Sequence, residues 1–360
     1  MSDFTEVKVS DLEKFVIECF EKSGMSDEDA KITADVLIES DKRGIASHGV
    51  ARLKRYTDGI KNGIMIPDAQ YEIIKETPNT LVITGNDGLG QPVSYKTMKL
   101  VIEKAKKNNI AFAAVRNSNH YGIAGYYAMM ALEENLIGIS TTNSFPLVVP
   151  TFGKNALLGT NPISIAAPTS KERPFVLDMA TSTVPRGKLE VYDRRGKPIP
   201  EAWATDANGL PTNDPGLVLR NVKEKLGGGL LPLGGALEET GGHKGYGLAM
   251  IVEIFTGILS GGAFGPNVYG IPRSPANVCH SFGAINIEAF IPLDEFTNAL
   301  YSLIKILHNS KKAVGQDRIY IHGEKEFILS EQQQEYVKLF NRVIENIKEV
   351  GKSLGVRASF

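Results

Sequence analysis

From about Tyr71 onward, short runs rich in Ile, Val and Ala alternate with stretches of helical spacing. That is the pattern of an α/β sheet, yet no GxGxxG motif follows any of the runs. Walker A, HExxH and GxSxG motifs are absent as well. If such a chain binds a dinucleotide, it does so without the usual Rossmann fingerprint. Candidate strands are Tyr71–Lys75, Thr80–Thr84, Ala111–Arg116, Ile137–Thr141, Ala156–Leu158, Ile163–Ala167, Phe175–Leu177 and Ala284–Phe290. Helices are expected at Pro92–Lys107, Ala124–Glu134 and Gly245–Leu259. Residues 186–235 are dense in Gly, Pro, Asn and Asp and read as a long irregular excursion.

Both ends read as helical. Ser10 and Glu13 fit a capping box ahead of the stripe Leu12, Phe15, Val16, Cys19 and Phe20. Ser26 and the acidic run Asp27 to Asp29 open a second helix that Gly44 ends. A third is expected from about Ser47 to Ile60. Near the other end Phe296, Ala299, Leu300, Leu303 and Leu307 form one stripe. Ser330 and Gln333 cap a last helix carrying Val337, Phe340, Val343, Ile344 and Ile347. A chain of 360 residues exceeds what one core usually serves. The expectation is an α/β domain over 71–291 and a helical lobe built from 1–70 with 292–360.

Composition excludes several functions. The 40 basic residues balance 41 acidic ones, which removes a broad nucleic-acid footprint. Two cysteines, Cys19 and Cys279, cannot build a disulfide framework or a thiolate zinc site. The first residues lack a basic stretch followed by an apolar run. The longest apolar stretch, Leu248 to Leu259, is broken by Glu253 and Thr256. These features read as a soluble, cytoplasmic protein with no metal.

Three segments could carry chemistry. In SHGVARLKRYTDGI, residues 47–60, a helical wheel puts His48, Arg52, Arg55 and Tyr56 on one side and Val50, Leu53, Thr57 and Ile60 on the other. Arginine can grip a carboxylate through paired hydrogen bonds, and histidine can give or take a proton beside it. A solvated helix face has the same pattern. Second, several candidate strands run into small polar clusters: Asn117 to His120, Thr141 to Ser144, Thr160 and Asn161, and Asp178 with Thr181 and Ser182. Ligands of α/β sheets gather at such strand ends. Asp178 could orient His48 or His120 and raise the imidazole pKa, or it could cap a helix. Third, Lys244 lies between glycines in TGGHKGYGLAM, directly before an apolar helix. That suits a phosphate, or simply a turn with the lysine in solvent. His243, His280, His308 and His322 show no metal-ligand spacing, and Trp203 reads as a packing residue.

In fixed order the chain carries SHGVARL at 47–53, RNSNHYGIAGYY at 116–127, FGKNALLGTNPISIAAP at 152–168, LDMATSTVPRGKL at 177–189, WATDANGLPTNDP at 203–215 and GGHKGYGLAM at 241–250. With these runs it resembles the malate, L-lactate and L-sulfolactate dehydrogenase family. The resemblance implies a non-Rossmann nicotinamide fold, a mixed and largely antiparallel sheet with flanking helices. It also implies a homodimer or higher homo-oligomer. The activity implied is reversible reduction of a 2-oxo acid to the 2-hydroxy acid with NAD or NADP. Oxaloacetate and malate are the first expectation. Sulfolactate, lactate, a diketo sugar acid, ureidoglycolate or a cyclic imine acid are alternatives, and a non-catalytic binding protein is a reading of another class. By the same resemblance His48 is the proton donor, Asp178 pairs with it, and His120 is a second acid–base candidate. Ser47, Arg52, Tyr56 and Thr160 would hold the substrate. His120, Gly122, Ser144, Asp178, Met179, Ala180, Lys244, Gly323 and Glu324 would touch the cofactor. His322 stands where the family pattern has proline. For a second acidic group on the substrate, Arg52, Arg55, Arg186 and Lys188 are the available cations.

Overall fold

The computed structural model describes residues 3–171, 173–268 and 275–360. In chain order it begins with β1 (Phe4–Lys8), α1 (Val9–Lys22), α2 (Asp27–Lys42), α3 (Leu53–Lys61), β2 (Glu72–Glu76), β3 (Thr80–Thr84), α4 (Gly90–Asn108), β4 (Ile110–Ser118), α5 (Ala124–Met130) and β5 (Leu136–Thr142). There follow β6 (Ile163–Ala167), β7 (Phe175–Met179), α6 (Arg186–Arg194), β8 (Ala204–Thr205), α7 (Pro215–Glu224), β9 (Gly229–Leu230) and α8 (Gly242–Glu253). The rest comprises β10 (Val278–Asn286), α9 (Leu293–Asn309), α10 (Glu324–Gln332), β11 (Tyr336–Phe340) and α11 (Asn341–Leu354).

A seven-stranded sheet in the order β2-β3-β4-β10-β5-β6-β7 organises the molecule. Only the β3–β4 pair is parallel; the other pairs are antiparallel. The sheet is therefore mixed and largely antiparallel, as the resemblance implies. One consequence positions the site. Strands β4, β5 and β7 run the same way, so their carboxyl ends, with the polar clusters that follow, open onto one edge. The central strand β10 is buried from Val278 to Ala284. Its start was hidden in the sequence because His280 and Ser281 look polar. They tolerate burial because each is hydrogen-bonded. His280 lies between Thr142 Oγ1 (2.8 Å) and Ser118 Oγ (2.9 Å), and Ser281 Oγ meets Thr141 Oγ1 at 2.7 Å. Of the expected strand at 284–290 only the first three residues, 284–286, are strand, and they are the tail of β10; Ile287–Ala289 form a 3-10 turn.

The two ends of the chain pack together. Leu12, Phe15, Val16 and Phe20 of α1, Ala34 and Leu37 of α2, Leu53 and Tyr56 of α3 share one core with Val337, Leu339, Ile344 and Ile347. Each Leu, Ile, Val or Phe side chain among them contributes about 1.5–3 kcal/mol on burial. Two strands join these ends, β1 against β11. Val337 and Leu339 are buried while Tyr336, Lys338 and Phe340 are exposed, an alternation of period two. Reading 330–347 as one helix is thus corrected: the partner strand lies at the far end of the chain, beyond any local pattern. The sheet has its own core around Leu81, Val101, Val115, Tyr127 and Phe282. A third cluster, including Val148, Val184, Leu189, Val218, Leu230 and Ala249, organises the supposed irregular excursion, which carries α6, α7, β8 and β9. Residues 156–158 make an isolated bridge, Val148 to Leu158, and no strand.

The caps divide. Ser26 accepts from Asp29 N–H at 3.2 Å as expected. Ser10 lies inside α1, which starts at Val9 directly out of β1 and has no side-chain cap. No described helix is long and apolar enough to cross a membrane.

Candidate active site

The segment 47–60 is not one helix. Ser47 to Gly49 form a turn, Val50–Arg52 a 3-10 turn, and only then does α3 begin. The change of phase matters. Tyr56 is fully buried rather than on an exposed face, yet its phenol still reaches the other functional side chains. Tyr56 Oη lies 2.7 Å from His120 Nδ1, and the rings of His120 and His48 stack with centroids 5.3 Å apart. Ser47 Oγ lies 2.8 Å from His48 Nδ1, and Arg52 Nε donates to Ser47 O at 2.6 Å. Two distant segments thus converge to place two imidazoles, a guanidinium, a phenol and a hydroxyl together.

The two histidines differ in the protons they can hold. Gly122 N–H donates to His120 Nδ1 at 3.3 Å. A backbone N–H can only donate, so Nδ1 is the acceptor and the proton of the neutral ring sits on Nε2. Tyr56 Oη then donates to the same Nδ1. Protonating Nδ1 would set it against the Gly122 N–H. His48 Nδ1 faces only a hydroxyl, which can donate or accept, so His48 fits both protonation states. Burial, then Arg52 and Arg55, pull its pKa down to about 4. Burial, then Arg55 and His48, hold His120 well below the ordinary imidazole value. Gly122 adopts φ +87°, and a Cβ there would lie 2.6 Å from Val36 Cγ1, so glycine is needed.

Asp178 has a different partner from the one the resemblance implies. Its Oδ2 accepts from Gly125 N–H at 2.7 Å, at the start of α5, rather than pairing with His48. That is the helix-capping alternative, satisfying a donor that the helix leaves free. Asp178 opens onto a cavity of about 250 Å³ lined also by Arg43, Ile123, Val176, Gly323 and Lys325. The walls crowd it enough to raise its carboxyl to about 6, against the Gly125 bond and the Arg43 charge. Gly323, at φ +88°, packs against Val176, where a Cβ would come within 2.9 Å. Asp178 and Gly323 therefore share one concave wall. Glu324 does not join them: its buried carboxylate takes Arg318, His308 Nε2 (3.3 Å) and Ile321 N–H (3.1 Å), so its side chain serves the fold.

Farther along the same edge, Thr160 N–H donates to Ser144 Oγ at 3.0 Å, and Thr181 N–H to Thr160 O at 2.9 Å. Met179 ends β7 opposite Ile163, and Ala180 follows it. Behind this line sits a group the sequence reading missed. The buried Glu253 carboxylate accepts from Asn161 Nδ2 (2.9 Å), Asn143 Nδ2 (3.2 Å) and Gly265 N–H (3.3 Å). It ties the ends of two strands to α8. Lys244 stands exposed in the first turn of α8. Of the other cations, Arg186 pairs with Glu190 at 3.1 Å, and Lys188 lies over the Trp203 ring. No group of three or more metal-binding side chains occurs among the described residues.

Comparison with known proteins agrees with this architecture. A family model described as malate/L-lactate dehydrogenase matches residues 7–348. A malate dehydrogenase of Pyrococcus abyssi is 50% identical over 99% of this chain and 96% of its own length. The solved malate dehydrogenase of Pyrococcus horikoshii OT3 superposes with a TM-score of 0.91 at 46% identity, covering 99% of this chain and 98% of that one. The sulfolactate dehydrogenase of Methanocaldococcus jannaschii superposes with a TM-score of 0.88 at 37% identity, covering 98% of each chain. By its sheet, its motifs and these likenesses, the chain belongs to the malate/L-lactate dehydrogenase family.

Proposed function

We propose that this 2-hydroxy acid dehydrogenase interconverts oxaloacetate and malate. The observation that carries the reading is the convergence of His48, Arg52, Tyr56 and His120 at the sheet edge. The name shared by the similar Pyrococcus proteins supports the substrate. In the reductive direction Arg52 holds the carboxylate beside the carbonyl. His120, kept neutral with its proton on Nε2, donates a hydrogen bond, and His48 donates the proton that the new alkoxide needs. Burial, helped by Arg52 and Arg55, keeps the free His48 ring neutral. A bound dicarboxylate offsets those cations, so substrate binding and proton uptake by His48 reinforce each other. In the reverse direction the neutral ring accepts the hydroxyl proton.

A nicotinamide dinucleotide supplies or accepts the hydride when bound. The cavity beside Asp178 and Gly323 fits part of such a molecule, with glycine where a Cβ would fill the wall. His120, Gly122, Ser144, Asp178, Met179, Ala180, Lys244 and Gly323 are the residues proposed to hold it, as NAD or NADP. The cations around Arg52 favour a substrate with two acidic groups over pyruvate. Sulfopyruvate is the second reading, favoured by the likeness to a sulfolactate dehydrogenase. Turnover of NADH and NADPH with each acceptor separates these readings, and His48→Ala tests the proton donor.

We further propose a homodimer. Met250, Ile251, Ile254, Phe255, Ile258 and Leu259 are all at least one-third exposed on α8 and the π-helical turn that extends it, as are Leu303, Ile306 and Leu307 on α9. Such faces call for a covering partner.

A further inference from the structure

The proton donor proposed above stands on a turn, and a turn needs something to hold it. His48 immediately precedes Gly49, and Arg52 lies three residues beyond it. The 3-10 turn Val50–Arg52 has no side-chain cap from its own N-terminal neighbour. The acceptor comes from another element. Asp41, near the end of α2 and 5% exposed, accepts the Val50 N–H on Oδ2 at 2.7 Å. The approach is so close that a Cβ on Gly49 would lie 2.1–2.2 Å from Oδ1, Cγ and Oδ2 of Asp41. Gly49 has φ −83°, an ordinary value for any residue, so the Asp41 carboxylate, not the backbone, is what excludes a side chain there. The turn is then closed by His48 N–H to Ile45 O and Arg52 N–H to Gly49 O, each at 2.9 Å.

We propose that Asp41 is the positioning residue of the site: through the Val50 N–H it fixes the turn that aims His48 and Arg52 at the substrate. Gly49 is the second half of the device, the space into which the carboxylate reaches. Burial without a facing cation raises the Asp41 carboxyl to about 7, so the group sits there at a cost, as functional groups often do. The role needs an acceptor oxygen at this point rather than a negative charge.

The inference rests on the dehydrogenase reading, and its test separates the two. Wild type, Asp41→Ala, Asp41→Asn and Gly49→Ala are assayed for kcat and KM with oxaloacetate, and for NADH and NADPH binding by fluorescence. Asp41→Ala and Gly49→Ala should lower kcat by roughly 10–100-fold, the scale of a misplaced catalytic group. Coenzyme affinity should fall far less than kcat, because Ile45 of this turn touches the cavity wall but neither Asp41 nor Gly49 lines it. Asp41→Asn, which keeps an acceptor oxygen, should recover most of the loss. Gly49→Ala should add little in the Asp41→Ala background, since the carboxylate it displaces is gone. If Asp41→Ala does not fold, Gly49→Ala and Asp41→Asn carry the test alone. Unchanged kcat in Gly49→Ala, or Asp41→Asn as slow as Gly49→Ala, overturns the positioning role. A wild type inactive with every 2-oxo acid overturns the dehydrogenase reading beneath it instead.

Discussion

At the scale of single residues, the division of labour between two histidines follows from which hydrogen each nitrogen can hold. His120 Nδ1 receives a backbone N–H, which keeps its own proton on Nε2. His48 Nδ1 faces a serine hydroxyl and can change state. His48→Ala should therefore reduce kcat by roughly 10²–10⁴-fold while coenzyme binding persists, the usual range for a lost general acid. Normal turnover in that variant would move the role to His120. The sign of the pH dependence follows too. Malate oxidation needs His48 neutral. Its pKa in the free protein is pulled down to about 4, so kcat/KM for malate should hold as pH falls through 6.5 and decline only toward 4. A decline centred near 6.5 that persists in Asp41→Asn and Asp178→Asn, which remove the two carboxyls raised to about 7 and about 6, would show an unperturbed imidazole and count against the assigned environment. Residue types at this site were legible: SHGVAR and NSNHYG announced imidazole, guanidinium and hydroxyl groups in one chain. Their partners were not. Asp178 could be read toward His48, toward His120 or as a helix cap; its carboxylate meets the Gly125 N–H of α5, and these alternatives share one sequence signal and differ only in space.

At the scale of elements, alternation and spacing found what local forces decide. Thr80–Thr84 and Ile163–Ala167 are strands with the very limits read from the sequence. Misses came where tertiary contact overrides local pattern. β11 borrows its partner from the other end of the chain. β10 buries His280 and Ser281 by pairing them. The turn before α3 takes its cap from α2. Glu253 belongs with these: nothing near it in sequence marks a carboxylate that joins β5, residue 161 and α8. Replacing it by alanine removes one of two acceptors from each amide, leaving Asn143 with Ala263 O and Asn161 with Ala249 O, and strips the Gly265 N–H of its carboxylate. Glu253→Ala should cost roughly 2–4 kcal/mol of stability, read as a lower denaturant midpoint at unchanged slope. Loss of less than about 1 kcal/mol would mean that solvent or neighbours replace the carboxylate easily.

At the scale of the whole molecule, the family resemblance implies a mixed, largely antiparallel sheet, and the missing GxGxxG and the helical ends agree with it. The observed strand order, with a single parallel pair, follows that expectation. Assembly leaves a weaker trace in sequence, because an apolar stripe looks alike whether it meets its own core or a second chain. α9 buries only Thr297 and Ile304 along its length while Ile306 is 67% exposed. Ile254→Asp combined with Ile306→Asp should convert a dimer to a monomer, measured as molar mass by light scattering during gel filtration. A monomeric wild type would remove the proposed dimer. The central claim is the reaction itself. The most direct measurement follows NADH and NADPH oxidation with oxaloacetate, sulfopyruvate, pyruvate and a cyclic imine acid side by side. Fast loss of absorbance with oxaloacetate is the predicted result, and it names the coenzyme at once. Turnover only with another acceptor would contradict the malate assignment, and silence with every acceptor from a folded protein would contradict the dehydrogenase.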